Sequence, residues 1–263
     1  MTNARKARPD HTPTVVRLLS IALLIIATAG LPLQQPEKQE KTNSRSIEWS
    51  SRHTTQGSSI EEYDAPATDP YFRFTAVPQA RSKTGTDRSE NTATKDKSGA
   101  QEGLTSTYNW STKIDRIEAI TPGFGWLIFT QWHQELNRCP PNVAFRIIQS
   151  PIESNPTLQV ETRGGDLNKD TCRSEDQSST RLGEAITGRW FQLSVKIEWS
   201  AHRTKGKITV LLDGRQLIKL VNVATLYTGM DAYLKQGVYR SASQTTQSID
   251  IGETRYCVEQ DNP

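Results

Sequence analysis

Short segments in which apolar and polar residues alternate recur along this chain, and they constrain its fold more than any other feature. Because successive side chains of a β-strand point to opposite faces, this alternation predicts strands that are buried on one face. A continuously apolar segment at 125–129 indicates a more central strand. Asp213-Gly214 predicts a hairpin turn that leads into a return strand at 216–220. The alternating segments are 71–77, 191–199 and 207–212. The sequence therefore predicts an all-β, antiparallel two-sheet sandwich.

Several segments depart from this pattern. Residues 30–45 lack aromatic residues and regular apolar spacing, which predicts a disordered linker. Two further polar stretches, 81–101 and 164–180, are predicted to contain long loops. Residues 222–227 give a weak indication of helix. The folded domain is expected to span residues 46–258.

The first 29 residues have the composition of a signal peptide. Four basic residues precede a short apolar run at 18–27, and Ala27-Thr28-Ala29 supplies a small-x-small cleavage pattern. The run is shorter than a membrane span requires, and no later stretch is long and apolar enough to span either. We therefore expect a secreted protein, extracellular or periplasmic, without a membrane span in the mature chain.

Removal of this leader changes the charge balance. The whole chain carries a formal net charge of +3, all of which lies in residues 1–29. The mature chain would be neutral, which argues against nucleic acid as a partner. An acidic polymer would have to be held by a local group of cations.

The three cysteines allow two interpretations. A bridge between Cys139 and Cys172 would hold the polar loop at 164–180 close to the strand at 129–134, and Cys257 would stay free. The alternative is three unpaired thiols. No spacing of cysteine and histidine indicates a zinc site.

Two predicted strands carry polar side chains of types that are uncommon in a hydrophobic core. In residues 129–134, alternation places Gln131 and His133 on one face and Trp132 on the other. The second strand, 233–240, places four residues on a common face: Tyr233, Lys235, Gly237 and Tyr239. Together these groups could bind a carboxylate and move a proton beside it.

The order of these motifs resembles a known family. Gln131-Trp132-His133, the segment 195–199, and the Tyr-x-Lys-x-Gly-x-Tyr pattern of 233–239 resemble the polysaccharide lyase group that includes glucuronan lyases. Upstream, Arg88-Ser89-Glu90 resembles the Arg-x-Glu strand motif of these lyases, and 103–111 resembles the strand that follows it. The resemblance implies a β-jelly-roll sandwich of the concanavalin-like type, shared with alginate lyases and more distantly with heparin lyase I.

The resemblance also implies a chemistry. These lyases cleave uronate polymers by β-elimination, in which a base removes the C5 proton and the O4 leaving group takes up a proton. Charge on the adjacent carboxylate must meet donors, a role implied for Gln131 aided by Arg88. Tyr239 is expected to donate the proton to O4, and either Tyr239 or His133 to act as the base. The remaining implied site residues are Tyr233, which shapes the cleft, and the substrate-binding residues Glu90, Lys235 and Arg240.

Other functional classes fit the sequence less well. A glycoside hydrolase on a similar sandwich needs closely placed carboxylates, and the usual Glu-x-Asp-x-x-Glu strand pattern is missing. A serine hydrolase is disfavoured because no Gly-x-Ser-x-Gly elbow occurs. The main alternative is a non-catalytic carbohydrate-binding or adhesion module on the same fold.

The expected partner is an acidic polysaccharide, glucuronan- or alginate-like and not densely sulfated, because a sulfated ligand would call for a larger basic surface. The chemistry needs no cofactor; a structural Ca²⁺ stays open, because the sequence offers no pattern from which to read one. We expect a monomer.

Overall fold

The computed structural model describes residues 44–64, 69–78, 85–115, 117, 125–136, 138–149 and 155–259. These residues form sixteen β-strands and one short 3-10 turn, Lys95–Lys97. The strands divide between two sheets whose neighbouring strands are antiparallel. No helix in these ranges is long and apolar enough to cross a membrane.

The seven-stranded sheet carries the candidate site. Its strands run in the order β10-β9-β8-β7-β14-β5-β2, so that β7 lies in the middle. Their bounds are β2 Trp49–Thr54, β5 Thr86–Ala93, β7 Gly125–His133, β8 Val143–Gln149, β9 Thr157–Asn168, β10 Arg173–Glu184 and β14 Tyr233–Ser241.

The nine-stranded sheet covers the other side of the core. Seven of its strands follow the order β13-β12-β11-β6-β15-β4-β3, while β16 pairs with β6 and with β1. Their bounds are β1 Arg45–Ser46, β3 Ser59–Tyr63, β4 Tyr71–Ala76, β6 Thr105–Ile114, β11 Trp190–Glu198, β12 Lys207–Leu212, β13 Arg215–Val221, β15 Gln247–Gly252 and β16 Arg255–Glu259.

Aromatic side chains join the two sheets at the centre of the core. Trp132 of β7 is fully buried and meets Trp110 of β6 edge to face, with ring centres 6.3 Å apart. Phe145 of β8 lies 5.9 Å from Trp110, and Tyr108 lies 4.8 Å from Trp132. Burial of these large rings is the main stabilising contribution to a sandwich, and the edge-to-face geometry adds to it.

The predicted fold class is confirmed, but two local predictions are wrong. Residues 164–180 contain most of the β9–β10 hairpin, and residues 222–227 are not helical. Residues 81–101 contain strand β5 in addition to a predicted loop, which begins at residue 94 and leads to β6. The predicted signal peptide and most of the predicted linker lie outside the described residues, although Arg45 already belongs to β1.

Candidate active site

The two motif strands are direct neighbours at the middle of the seven-stranded sheet. In the antiparallel pairing of β14 with β7, Tyr233 lies opposite His133 and Lys235 lies opposite Gln131. These side chains share one face, whereas Trp132 points into the core. Strand alternation thus brings the two motifs together on the outer face of the sheet, as the sequence indicated.

A glycine allows β14 to lie close to β5. Gly237 has a φ of +140°, which side-chain-bearing residues rarely adopt. A Cβ on Gly237 would lie 2.2 Å from the carbonyl oxygen of Ser89 and 2.8 Å from the Cα of Glu90. The pairing of β14 with β7 also slips between Gln236 and Tyr239, as in a β-bulge. Glycine at this position therefore sets how Tyr239 and Arg88, which lie opposite each other, face the cavity.

The shared face forms the floor of a cavity of about 660 Å³. Its lining side chains come from six of the seven strands in the sheet and from the loop between β7 and β8. The predicted residues on this lining are Arg88, Gln131, His133, Tyr233, Lys235 and Tyr239.

A buried carboxylate organises the floor. Glu90 is 2% exposed, and its Oε1 accepts a hydrogen bond of 2.6 Å from the Gln131 amide Nε2. Its Oε2 lies 3.2 Å from Nε of Arg88. Burial raises the pKa of Glu90, while Arg88, Lys235 and the Gln131 hydrogen bond oppose that rise. Glu90 therefore orients Gln131 and Arg88 from beneath the cavity, so its contribution is to position these donors.

The ring of Tyr239 is held between two side chains. The Arg88 guanidinium carbon lies 4.1 Å from the centre of the ring, a cation–π contact. Trp126 packs edge-on against the same ring at 5.0 Å between centres. These contacts restrict the orientation of the Tyr239 ring, which lines the cavity.

His133 has a defined tautomer. Its Nδ1 lies 2.8 Å from the backbone carbonyl oxygen of Gln134. A carbonyl only accepts, so Nδ1 carries the proton and the neutral ring keeps a lone pair on Nε2. Burial, together with the charges of Lys235 and Arg88 and against the Gln134 hydrogen bond, lowers the pKa of His133 to about 4. The imidazole is consequently neutral at ordinary pH.

Lys235 and Tyr233 lie beside this imidazole. Lys235 is 6% exposed, with its Nζ 5.4 Å from the centre of the Tyr233 ring. Burial, aided by Arg88 and opposed by Glu90, lowers the pKa of Lys235. Burial also raises the pKa of Tyr233, as do the charges of Glu135 and Glu90. The Tyr233 hydroxyl therefore stays protonated.

Two predicted substrate-binding residues do not line the cavity: Glu90, which is buried beneath it, and Arg240. Arg240 is 1% exposed and pairs with Asp87, at 3.1 Å from Nε and 3.0 Å from Nη2. Its Nη2 also donates to the carbonyl oxygens of Ala76 and Thr245. Because Arg240 follows Tyr239 in the strand, its side chain leaves the opposite face and lies between the sheets. The expectation that Arg240 contacts substrate is therefore wrong. Arg240 forms a structural ion pair with Asp87.

The cavity has a second charged group that the sequence interpretation missed. Arg146 of β8 and Arg163 of β9 both contact Glu161, and all three line the cavity. His53 of β2, whose pKa burial lowers, lines the opposite side. A signal was present, since Glu161 and Arg163 alternate with apolar or small residues along β9.

A disulfide borders the cavity. Cys139 and Cys172 are bonded, with their Cα atoms 5.1 Å apart, and Cys257 is free. The bond joins the loop after β7 to the turn between β9 and β10. Pro140 and Pro141 of that loop line the cavity, so the disulfide holds one of its walls. Among the described residues, no group of three or more His, Cys, Asp or Glu could hold a metal ion.

Comparison with known proteins identifies a family and a shared fold. The family model described as "Polysaccharide lyase" matches residues 38–255. An endo-β-1,4-glucuronan lyase from the fungus Trichoderma reesei has a similar structure, with a TM-score of 0.63 and 15% identity over 81% of this chain and 94% of that one. The alginate lyase AlyC3 gives a TM-score of 0.53 and 12% identity over 72% and 75% of the two chains. An alginate lyase from Klebsiella pneumoniae gives 0.51 and 15% identity over 76% and 85%.

At these identities the structural matches show a shared fold, and no curated protein sequence matches the chain. The family model covers most of the sequence, including β5, β7 and β14, and it favours an enzyme over a binding module. The chain belongs to the polysaccharide lyase family.

Proposed function

We propose that this lyase cleaves a uronate-containing polysaccharide, glucuronan- or alginate-like, by β-elimination. The observation that carries the proposal is the cavity floor, where the Gln131 amide is anchored by Glu90 between Arg88 and Lys235. A cavity that presents an oriented amide and two cations suits a carboxylate. The glucuronan and alginate lyases of similar structure support this substrate class.

Neutralising the carboxylate makes the C5 proton acidic. One N–H of the Gln131 amide donates to Glu90, and the second is the donor for a substrate oxygen. Lys235 and Arg88 add positive charge on the same face. Because these groups are held before the substrate arrives, they stabilise the charge that develops as C5 is deprotonated.

The proton transfers fall to groups on either side of this donor set. His133 lies opposite Tyr233 in the pairing of β7 with β14, whereas Tyr239 lies opposite Ile128, beyond the Lys235–Gln131 pair. As the base takes the C5 proton, the released electron pair forms the C4–C5 double bond, and the C4–O4 bond breaks. Tyr239 then protonates O4. Nε2 of His133 is a base for an anti elimination, and Tyr239 can take both roles in a syn one.

The product defines the test of this function. β-Elimination creates an unsaturated uronate that absorbs ultraviolet light, so the enzyme is incubated with glucuronan, alginate and heparin while absorbance is followed. We expect unsaturated ends from glucuronan or alginate and little from heparin. Binding without new double bonds would contradict the proposed reaction, and strong cleavage of heparin alone would contradict the proposed substrate.

The roles of the two tyrosines are separated by removing one oxygen at a time. We expect Tyr239→Phe to lower kcat by about 10²–10⁴-fold, the usual contribution of a general acid or base, with little change in binding. Tyr233→Phe should have a smaller effect, and Tyr63→Phe, on β3 of the other sheet, serves as the control. Near-normal turnover by Tyr239→Phe with loss of turnover in Tyr233→Phe would exchange the two roles.

We also propose that the protein is exported. The basic residues and apolar run of the first 29 residues support this, as does the disulfide between Cys139 and Cys172, since such bonds persist in oxidising compartments. Expression in a secreting host followed by mass measurement of the protein in the medium tests it. Retention of residues 1–29 on the cell-associated protein would contradict it.

A further inference from the structure

The cavity contains a second cationic group that the proposed elimination does not use. Nη1 of Arg146 lies 2.8 Å from Oε2 of Glu161, and Nη2 of Arg163 lies 2.7 Å from Oε1. Glu161 is 3% exposed and also accepts a hydrogen bond of 3.2 Å from Nε2 of Gln177. The side chains of Arg146 and Arg163 are 22% and 15% exposed, whereas Glu161, on the same cavity lining, is almost fully buried.

This group, Arg146–Glu161–Arg163, carries the same set of charges as the group at the proposed reaction centre. There, Glu90 is buried beneath Arg88 and Lys235. In each group one buried carboxylate faces two cations, which leaves an excess of one positive charge at the cavity surface when all three are ionised. Burying an unbalanced positive charge costs free energy, and a bound anion would offset that cost.

The two groups are centred on different strands of the sheet. Lys235 on β14 lies opposite Gln131 on β7, Gln131 opposite Ala144 on β8, and Ala144 opposite Glu161 on β9. Three strand spacings separate Lys235 from Glu161, about 14 Å between their backbones. One hexuronate ring cannot bridge that distance, whereas successive rings of a polymer lying across the strands can.

We propose that Arg146 and Arg163 bind the carboxylate of a second uronate in the same polysaccharide chain, away from the bond that is cleaved. The proposal rests on the proposed function, because it assumes that the reacting sugar occupies the Gln131 end of the cavity. Glu161 and the Ser179 hydroxyl, which lies 3.3 Å from Nη2 of Arg146, orient the guanidinium groups. The enzyme would then prefer polymers in which uronates recur within a few sugars over polymers with isolated uronates.

Kinetics of Arg163→Gln and Arg146→Gln on a uronate homopolymer test this subsite. A charged donor contributes about 10–100-fold to affinity, so we expect KM to rise by that factor while kcat stays nearly unchanged. Arg163→Lys keeps the charge but loses the planar guanidinium, so its KM should lie between those of the wild type and Arg163→Gln. Arg215→Gln on β13, which removes one exposed positive charge outside the cavity, should leave KM unchanged.

Several results would overturn the subsite. If the wild type forms unsaturated ends and KM is unchanged in both glutamine variants, the second carboxylate site is absent although the proposed function stands. A rise in KM that accompanies a parallel fall in kcat and melting temperature, and that disappears when Arg163→Lys restores the melting temperature, would indicate a structural role only.

A direct binding measurement keeps the subsite testable if no polymer is cleaved. Calorimetry with a uronate oligosaccharide then compares the wild type with Arg163→Gln. Weaker binding by the variant supports the subsite. Equal binding, or no binding by either protein, overturns it.

Discussion

The neutral state of His133 makes the stability of this protein depend on pH. Burial lowers its pKa from 6.5 to about 4, so between these values the unfolded chain binds a proton that the folded chain does not. The free energy of unfolding therefore rises with pH across this window. The contribution of His133 to stability is lost as the pH falls through it. The full difference between the pKa values of His133 in the unfolded and folded chain corresponds to about 3 kcal/mol of stability.

We expect His133→Gln, which cannot titrate, to unfold with a weaker dependence on pH in that window. Thermal melts of both proteins at a series of pH values measure the difference. His202→Gln, on an exposed loop residue, is the control. Parallel pH profiles for the wild type and His133→Gln would show that the imidazole is not held neutral by the fold.

Arg240 provides the second residue-level prediction. Asp87 is fully buried, so Arg240→Met would leave its carboxylate in the core without the arginine that neutralises it. Breaking a buried pair in this way costs about 3–5 kcal/mol. We expect chemical denaturation to show that loss, with unchanged kcat and KM for the folded fraction. Arg88→Met, by contrast, should change the kinetics, because Arg88 lines the cavity. A large change in KM in Arg240→Met would restore the substrate-binding role.

These two residues show how far alternation predicts a site. It correctly placed Gln131 and His133 on one face of β7, and Tyr233, Lys235 and Tyr239 on one face of β14, because a strand has a period of two. The pairing of the two strands puts both sets on the same face of the sheet. The same period places Arg240 on the inner face, where a charge requires a partner. Asp87 is 153 residues away in sequence, so no local pattern could identify that pair.

At the scale of elements, Gly237 has the clearest structural requirement. A Cβ there would meet the Ser89 carbonyl oxygen at 2.2 Å, in addition to the strain of its positive φ. Gly214 also has a positive φ, +78°, but nothing lies within 4 Å of its Cβ position. We expect Gly214→Ala to cost about 1–3 kcal/mol of stability from strain alone and Gly237→Ala to cost more.

The two alanine variants are compared by chemical denaturation and by turnover. Gly237→Ala should also lower kcat, because β14 must move away from β5 and carries Lys235 and Tyr239 with it. Equal destabilisation by both variants, with full activity in Gly237→Ala, would mean that β14 accommodates the side chain without a shift.

The strands that the sequence failed to predict share a physical cause. Strand β5 presents Arg88 and Thr92 to the cavity with Glu90 buried on the same face, and its inner face carries Asp87 and other polar residues. Polar residues on both faces remove the alternation that identifies a strand. The β9–β10 hairpin has the same difficulty, because β10 is an edge strand with little apolar content. Strands that build a polar site therefore look like loops in sequence.

At the scale of the whole molecule, the cavity combines side chains from distant parts of the chain. Its lining runs from Ser50 on β2 to Tyr239 on β14. Strand patterns indicate which face each side chain occupies, but the order of strands within a sheet is a tertiary property. The resemblance to glucuronan lyases grouped residues of the two motif strands in one site, whereas β8 and β9 carry none of the motifs of that resemblance and their cations were missed.

The disulfide constrains the whole unfolded chain. Cys139 and Cys172 are separated by 33 residues, and closing a loop of that length removes entropy from the unfolded state worth about 3–4 kcal/mol. We expect Cys139→Ser/Cys172→Ser to lose about that much stability in chemical denaturation. Cys257→Ser, which removes a free and only partly buried thiol, should match the wild type.

Kinetics of the same variants show what the bond does for the site. The catalytic groups lie on β7 and β14, whereas the bond holds the Pro140–Pro141 wall, so KM should rise while kcat changes little. Unchanged stability in the double variant would mean that the unfolded chain retains contacts of the β9–β10 hairpin, which already restrict it without the disulfide. A fall in kcat with an unchanged KM would mean that the wall positions the reacting groups themselves, because only a displaced catalytic group lowers turnover at saturating substrate.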